Sequence, residues 1–211
     1  MIIAVDGPAA SGKGTLARAL AEHFGLAYLD TGSLYRATAV RLLAVGNTDP
    51  TEDEATKAAD TITAADRESP DLRSEATGQM ASTVAAMAGV RASLLAFQRN
   101  FAATPPGGAT GAVMDGRDIG TVVLPDADKK LFITASAKAR AHRRFLELSA
   151  SGDPTSEDQV LADLIDRDRR DAERAQSPMV QAPDAHLLDT TELDIDAAFL
   201  AAKAYISGPA R

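Results

Sequence analysis

The stretch Gly7-Pro8-Ala9-Ala10-Ser11-Gly12-Lys13-Gly14-Thr15 holds the densest chemistry in the chain. Glycines at Gly7 and Gly12 let the backbone wrap so that successive N–H groups point inward, the way a chain cradles phosphate oxygens. A helix opening near Gly12 adds the partial positive charge of its N-terminus. Lys13 supplies a mobile ammonium for the β- and γ-phosphates of a nucleotide. A strict phosphate loop carries Ser or Thr directly after the lysine; here that position is Gly14, and the hydroxyl comes one residue later at Thr15. The expected cofactor is ATP with Mg2+, but without the usual hydroxyl ligand there is no dedicated protein metal site. Oxygens of ATP, water and carboxylates must then hold the ion, with Asp6 and Asp115 reaching it through water.

Arginines are placed as a second phosphate would need them. A dianion close to a bound nucleotide is repelled unless guanidinium groups offset the charge, and their planar fork suits phosphate. Asp30-Thr31-Gly32-Ser33-Leu34-Tyr35-Arg36 follows an apolar run and opens a helix, with Thr31 as its cap and Arg36 about a turn and a half along. Asp115-Gly116-Arg117-Asp118 closes another run; Arg117 suits a phosphate clamp and Asp118 an exocyclic amino group. In Arg167 to Arg174, residues Arg167, Asp171 and Arg174 fall at i, i+4 and i+7, one face of a helix. Intrahelical ion pairs give the same spacing, so this segment alone does not decide. Arg140 and Arg144, one turn apart, either reach the nucleotide or form a solvated basic face.

These residues need a rigid frame. Ile2–Val5, Leu26–Leu29, Ala112–Met114, Lys130–Thr134 and His186–Leu188 read as strands, most followed by helical patterns. That alternation predicts an α/β three-layer fold with a five-stranded parallel sheet, its first strand central and ligands at the carboxyl ends. Residues 1–46, 104–151 and 179–211 are expected to form the core of a single domain. Residues 47–103 read as a helical excursion with a break at Gly89, and 152–178 as a small helical lid whose charged helix ends near Gln176-Ser177-Pro178.

Composition sets limits. The net charge of −8 over 211 residues argues against general nucleic-acid binding, which needs a basic footprint. With no cysteine, disulfides and thiolate metal sites are excluded. The three histidines have no metal-ligand spacing. No window approaches the ~20 apolar residues of a membrane span and no basic segment precedes the first apolar run, so a cytoplasmic protein without membrane contact is expected. Nothing reads as a dedicated subunit interface, and a monomer is expected.

The Gly-Lys-Gly-Thr variant resembles the loop of nucleoside monophosphate kinases, and an Asn-Lys-x-Asp guanine reader is absent. With Asp115-Gly116-Arg117-Asp118-Ile119-Gly120-Thr121-Val122-Val123, Arg140-Ala141-His142-Arg143-Arg144 and the Arg167–Arg174 segment, the chain resembles the bacterial cytidylate kinase family over nearly its whole length. The resemblance implies a P-loop NTPase-type fold, with an acceptor-binding region and a lid. It implies transfer of the γ-phosphoryl group of ATP to CMP or dCMP. It also places the acceptor on Ser82, Arg91, Arg117 and Asp118, with Thr31 and Arg36 nearby, and gives Arg167, Asp171 and Arg174 to the lid. The family often carries a small β-rich insert in its acceptor region. Here Gly46 to Arg73 is short and lacks strand alternation, which leaves the choice among CMP, dCMP and UMP open. Two other readings are a P-loop kinase for a different monophosphate or a small metabolite, and a slow nucleotide-binding switch.

Overall fold

A computed structural model describes residues 1–208. Strand β1 (Ile2–Asp6) is an Ile-Ile-Ala-Val-Asp run buried on both faces, which only a central strand can satisfy. Helix α1 (Lys13–Phe24) turns Leu16, Ala17, Leu20 and Ala21 onto the sheet. It stops at Gly25 (φ +64°), where Leu26 N–H donates back to Ala21 O at 2.8 Å, a closure that glycine makes without strain. Strand β2 (Ala27–Asp30) leads into α2 (Gly32–Ala44). The chain then runs through α3 (Glu52–Asp60), α4 (Ala64–Arg67), α5 (Glu75–Val84) and α6 (Ala88–Ala103). Strand β3 (Ala112–Gly116), a π-helical turn (Ile119–Val123) and β4 (Lys129–Thr134) follow. Last come α7 (Ala137–Ala150), α8 (Glu157–Ala172), β5 (His186–Asp189) and α9 (Ile195–Ser207).

The strands lie in the order β2-β3-β1-β4-β5, and the pairs β1–β3, β1–β4 and β4–β5 are parallel. The expected five-stranded sheet with β1 at its centre is therefore present. Register sets Asp6 opposite Gly116 and Phe132, so the carboxyl ends of β1, β3 and β4 meet at one edge. Ligands of doubly wound sheets gather there. Among the described residues no single helix is long and apolar enough to cross a membrane.

The chain divides into two compact units: Met1–Tyr28 with the chain from Pro105 onward, and Leu29–Thr104. The first unit's core packs Ile3, Val5, Val113, Leu131 and Ile133 of the sheet against Leu16 and Leu20 of α1 and Ala202 and Ile206 of α9. The second unit has its own apolar centre, with Leu34 and Leu42 of α2 against Met80 and Val84 of α5 and Val90 and Leu94 of α6.

Three local expectations are corrected. Gly89 is no break: it lies inside α6, and the bend is at Ala85–Met87. Its N–H donates to Glu52 Oε1 at 2.6 Å, and a Cβ there would come within 2.4 Å of Thr56 Oγ1. Glycine is needed for the close approach of α6 to α3. Thr31 is in helical geometry without a side-chain cap bond; Asp30 Oδ1 instead accepts from Ser33 N–H at 3.2 Å, and Ser33 Oγ donates to Asp30 O at 2.6 Å. Helix α8 ends at Ala172, short of the predicted Gln176, because Asp171 O takes Met179 N–H at 2.8 Å and folds the chain back. Arg174 therefore lies past the helix end.

Candidate active site

The phosphate loop runs from the end of β1 to the start of α1. Gly7 has φ +148°, and a Cβ on it would sit 2.0 Å from Ile133 O, so only glycine lets the loop leave the sheet so close to β4. Gly12 (φ +82°) and Ala10 (φ +57°) are left-handed, a conformation that turns neighbouring N–H groups toward a common side. Gly12 O starts α1 by accepting from Leu16 N–H at 3.0 Å. The Ser11 hydroxyl is fully buried and has no hydrogen-bond partner in the protein. A buried orphan hydroxyl costs about 1–3 kcal/mol, which a polar ligand in the loop would recover.

The loop is pinned from outside by Thr190 and Arg143, which spacing did not single out, and by Arg140, which it did. Thr190 Oγ1, beyond β5, donates to Ser11 O at 3.2 Å, and Arg143 holds Thr190 through Oγ1 and the main-chain carbonyl. Arg140 is buried and donates to Ala9 O (3.1 Å), Ala135 O (2.9 Å) and Asp168 Oδ2 (2.6 Å). Its guanidinium thus grips the back of the loop. Arg144 is half-buried and pairs with Glu147 one turn along α7 (3.2 Å).

At the sheet's carboxyl edge, Asp6 is buried and accepts from Ile119 N–H (2.7 Å) and Gly120 N–H (2.8 Å). Burial pushes its carboxyl up to about 6 despite those two donors. Asp6 thus fixes the π-helical turn after Asp118, and both its oxygens are engaged. Asp115 Oδ1 accepts from Tyr28 Oη at 2.8 Å, while Oδ2 lies 3.6 Å from where a Gly14 Cβ would be. That carboxylate faces the position where a strict phosphate loop presents its hydroxyl. Among the described residues no three His, Asp or Glu side chains group as a metal site. The Asp115 carboxylate is the donor here that fits an Mg2+ brought in by a nucleotide and met through water.

Arg167, Asp171 and Arg174 come together, although Arg174 does so from beyond the helix and not from its i+7 position, and Arg117 joins them from just after β3. Asp171 is 1 % exposed. Arg117 Nε donates to its Oδ2 at 2.9 Å, and Arg174 Nη2 donates to its Oδ1. Burial pushes the Asp171 carboxyl up, but Arg117, Arg174 and Arg167 together outweigh that and hold it below the usual carboxylate range. Three guanidinium groups thus act on one buried carboxylate, and the guanidinium fork is the side-chain donor best matched to phosphate oxygens. Arg174 reaches Asp171 from the turn that follows α8, so the cluster survives the early end of the helix. Asp118 is buried beside it in sequence, its carbonyl accepting from Val122 and Val123 N–H.

In the second unit, Arg36 Nη1 donates to Leu72 O at 3.1 Å, and its guanidinium lies flat on Gly78, where a Cβ would come within 3.2 Å of Nη2. Arg91 stacks over the Tyr35 ring at 5.6 Å and donates to Ala85 O at 3.2 Å. Ser82 of α5 is buried, and its hydroxyl has no hydrogen-bond partner in the protein. Thr31 is buried at the start of α2. Tyr28 and Asp168 escaped sequence reasoning. The only trace of Asp168 is its place one turn before Asp171, and Tyr28 looks like any strand aromatic.

Residues 3–204 match the family described as cytidylate kinase. The chain is 52% identical over 202 residues to the cytidylate kinase of Rhodopseudomonas palustris, covering 96% of this chain and 93% of that one. It is 55% identical over 202 residues to that of Paramagnetospirillum magneticum, covering 95% of each. Among solved structures, an uncharacterised protein from Eubacterium ventriosum shares the fold, with a TM-score of 0.55 at 15% identity over 99% of both chains. With a phosphate loop of the Gly-Lys-Gly-Thr form and an arginine-ringed buried carboxylate in the matched region, the chain belongs to the cytidylate kinase family.

Proposed function

We propose that this chain transfers the γ-phosphoryl group of ATP to CMP, and to dCMP, giving ADP and the nucleoside diphosphate. The observation that carries this reading is the cluster at Asp171, where Arg117, Arg167 and Arg174 gather around one buried carboxylate and offer guanidinium donors suited to a second phosphate. Family membership names the acceptor class.

In this reading the loop from Gly7 to Thr15 holds the ATP phosphates through its N–H groups and Lys13, with Ser11 Oγ donating to an oxygen. An Mg2+ carried in with ATP would be met through water by Asp115 and would offset charge on the phosphates. Arg117, Arg167 and Arg174 bind the acceptor's phosphate, and Asp171 fixes the angles of the guanidinium groups. The acceptor oxygen is already ionised near neutral pH, so no general base is required. Catalysis is positioning plus charge stabilisation in line with the transferring group. For the acceptor nucleotide, family similarity assigns Asp118 in the first unit and Ser82, Arg91, Thr31 and Arg36 in the second. Ser82 fits that role because its buried hydroxyl lacks a protein partner. Residues 47–103 act as the acceptor-binding region and 152–178 as the lid. The protein works as a monomer on free nucleotides in the cytoplasm.

The test is ADP release from ATP and Mg2+ with each nucleoside monophosphate supplied alone, using Lys13→Ala as the control. Strong stimulation by CMP and dCMP, weak response to AMP and GMP, and a loss of about a hundredfold or more in Lys13→Ala are expected. ATP binding without stimulation by any monophosphate would refute the reading.

A further inference from the structure

Arg140 divides its guanidinium among three segments instead of presenting its fork to one anion. Nε donates to Ala135 O beyond β4, Nη1 to Ala9 O in the phosphate loop, and Nη2 to Asp168 Oδ2 in α8. Asp168 follows Arg167 and precedes Asp171 by three residues, so it lies on the same stretch of helix as the arginine cluster. An apolar contact runs parallel to this polar one: Ala9 packs with Ala141 of α7 and with Val160 and Leu164 of α8. Loop and helix are thus joined twice.

The Ala9 carbonyl belongs to the same planar trans peptide as the Ala10 N–H. A guanidinium that fixes the carbonyl therefore aims the N–H the opposite way, and a phosphate that captures the N–H fixes the carbonyl. Ala10 is the loop's non-glycine residue in left-handed geometry (φ +57°). Holding it there costs about 1–2 kcal/mol, so this peptide has an alternative to relax into when it is not held. Close-packed contacts and buried pairs switch between discrete arrangements rather than deforming smoothly.

We propose that Arg140 and Asp168 are positioning residues that couple the two substrate sites of the kinase. Occupancy of the phosphate loop by a nucleoside triphosphate, read through the Ala9 carbonyl, sets α8 and with it Arg167 and the cluster that takes the acceptor's phosphate. The inference rests on the kinase reading above. Coupling between sites is reciprocal, so each ligand tightens the other by one common factor.

The experiment is calorimetric titration of CMP, with and without a saturating non-hydrolysable ATP analogue and Mg2+, on the wild type, Asp168→Asn and Arg140→Lys. In the wild type the analogue is expected to tighten CMP binding about tenfold, within the usual range of such coupling. In Asp168→Asn that ratio falls below about twofold, while CMP alone and analogue alone bind within about threefold of wild type. Arg140→Lys keeps the charge but not the three-way grip, and it loses the ratio as well. Weakened binary complexes with an intact ratio would show a merely structural pair and overturn the proposal. So would a wild type in which the analogue leaves CMP affinity unchanged. A wild type that binds the analogue but no CMP would overturn the acceptor reading itself, and this proposal with it. Should Arg140→Lys not fold, Asp168→Asn decides alone.

Discussion

Replacing Asp171 by Asn tests whether the arginine cluster is held by charge. The amide keeps the volume of the carboxylate, yet offers one acceptor oxygen where there were two and turns an NH2 toward a guanidinium. Two charge-assisted hydrogen bonds are affected, one from Arg117 at 2.9 Å and one from Arg174. Each such bond contributes about 1.5–3 kcal/mol. Against this, the variant no longer buries an ion, and its remaining oxygen still satisfies one donor. Leaving Arg117, Arg167 and Arg174 without their anion dominates, as it does when one partner of a buried pair is removed. The expected net loss at pH 7 is about 3 kcal/mol, or roughly 6–12 °C in melting temperature for a chain of this size.

The pH dependence makes the test specific. The folded Asp171 carboxyl lies below its ordinary value of 3.8, so its stabilisation is complete above about pH 4. It is lost as pH falls from there through the folded value, at up to about 1.4 kcal/mol per unit. Urea unfolding of wild type and Asp171→Asn between pH 7 and pH 3 measures the gap directly. It should be flat down to about pH 4 and narrow below it. A gap under about 1 kcal/mol at pH 7, or one that does not change below pH 4, would refute the electrostatic account.

Asp6 has the opposite sign: its folded carboxyl is raised from 3.8 to about 6, so the folded chain holds an extra proton between those values. Stability from this group therefore falls as pH rises through that window and levels off above it, and Asp6→Asn should abolish the slope in a pH series of urea midpoints; an unchanged slope would assign it elsewhere. Gly7→Ala drives a Cβ to 2.0 Å from Ile133 O, with an expected cost of about 3 kcal/mol or more. Gly12→Ala meets open space and bears only the left-handed penalty of about 1–2 kcal/mol; equal losses in denaturant unfolding would contradict the close-approach argument. Ser82→Ala removes a buried hydroxyl that has no protein partner, so unfolding should show unchanged or slightly higher stability, while CMP binding weakens about tenfold or more by titration. Unaltered CMP affinity would remove Ser82 from the site.

What the sequence determined was local. The phosphate loop is legible because a β-branched run, two glycines, a lysine and an amphipathic helix follow one another within about 25 residues, and each dictates its own backbone geometry. The five strands were readable from apolar runs, and the i, i+4 spacing of Arg167 and Asp171 from helix geometry alone. Tertiary structure decided which distant groups meet. Asp6 closes on a turn 113 residues away, and Arg140 grips a carbonyl 131 residues away. Gly89 is glycine because another helix lies against it, and Arg174 reaches Asp171 although the helix has already ended. Propensity and spacing act over a few residues along the chain. The order β2-β3-β1-β4-β5 is what brings remote carboxylates and guanidinium groups to one edge, and only their meeting fixes their charge states and partners.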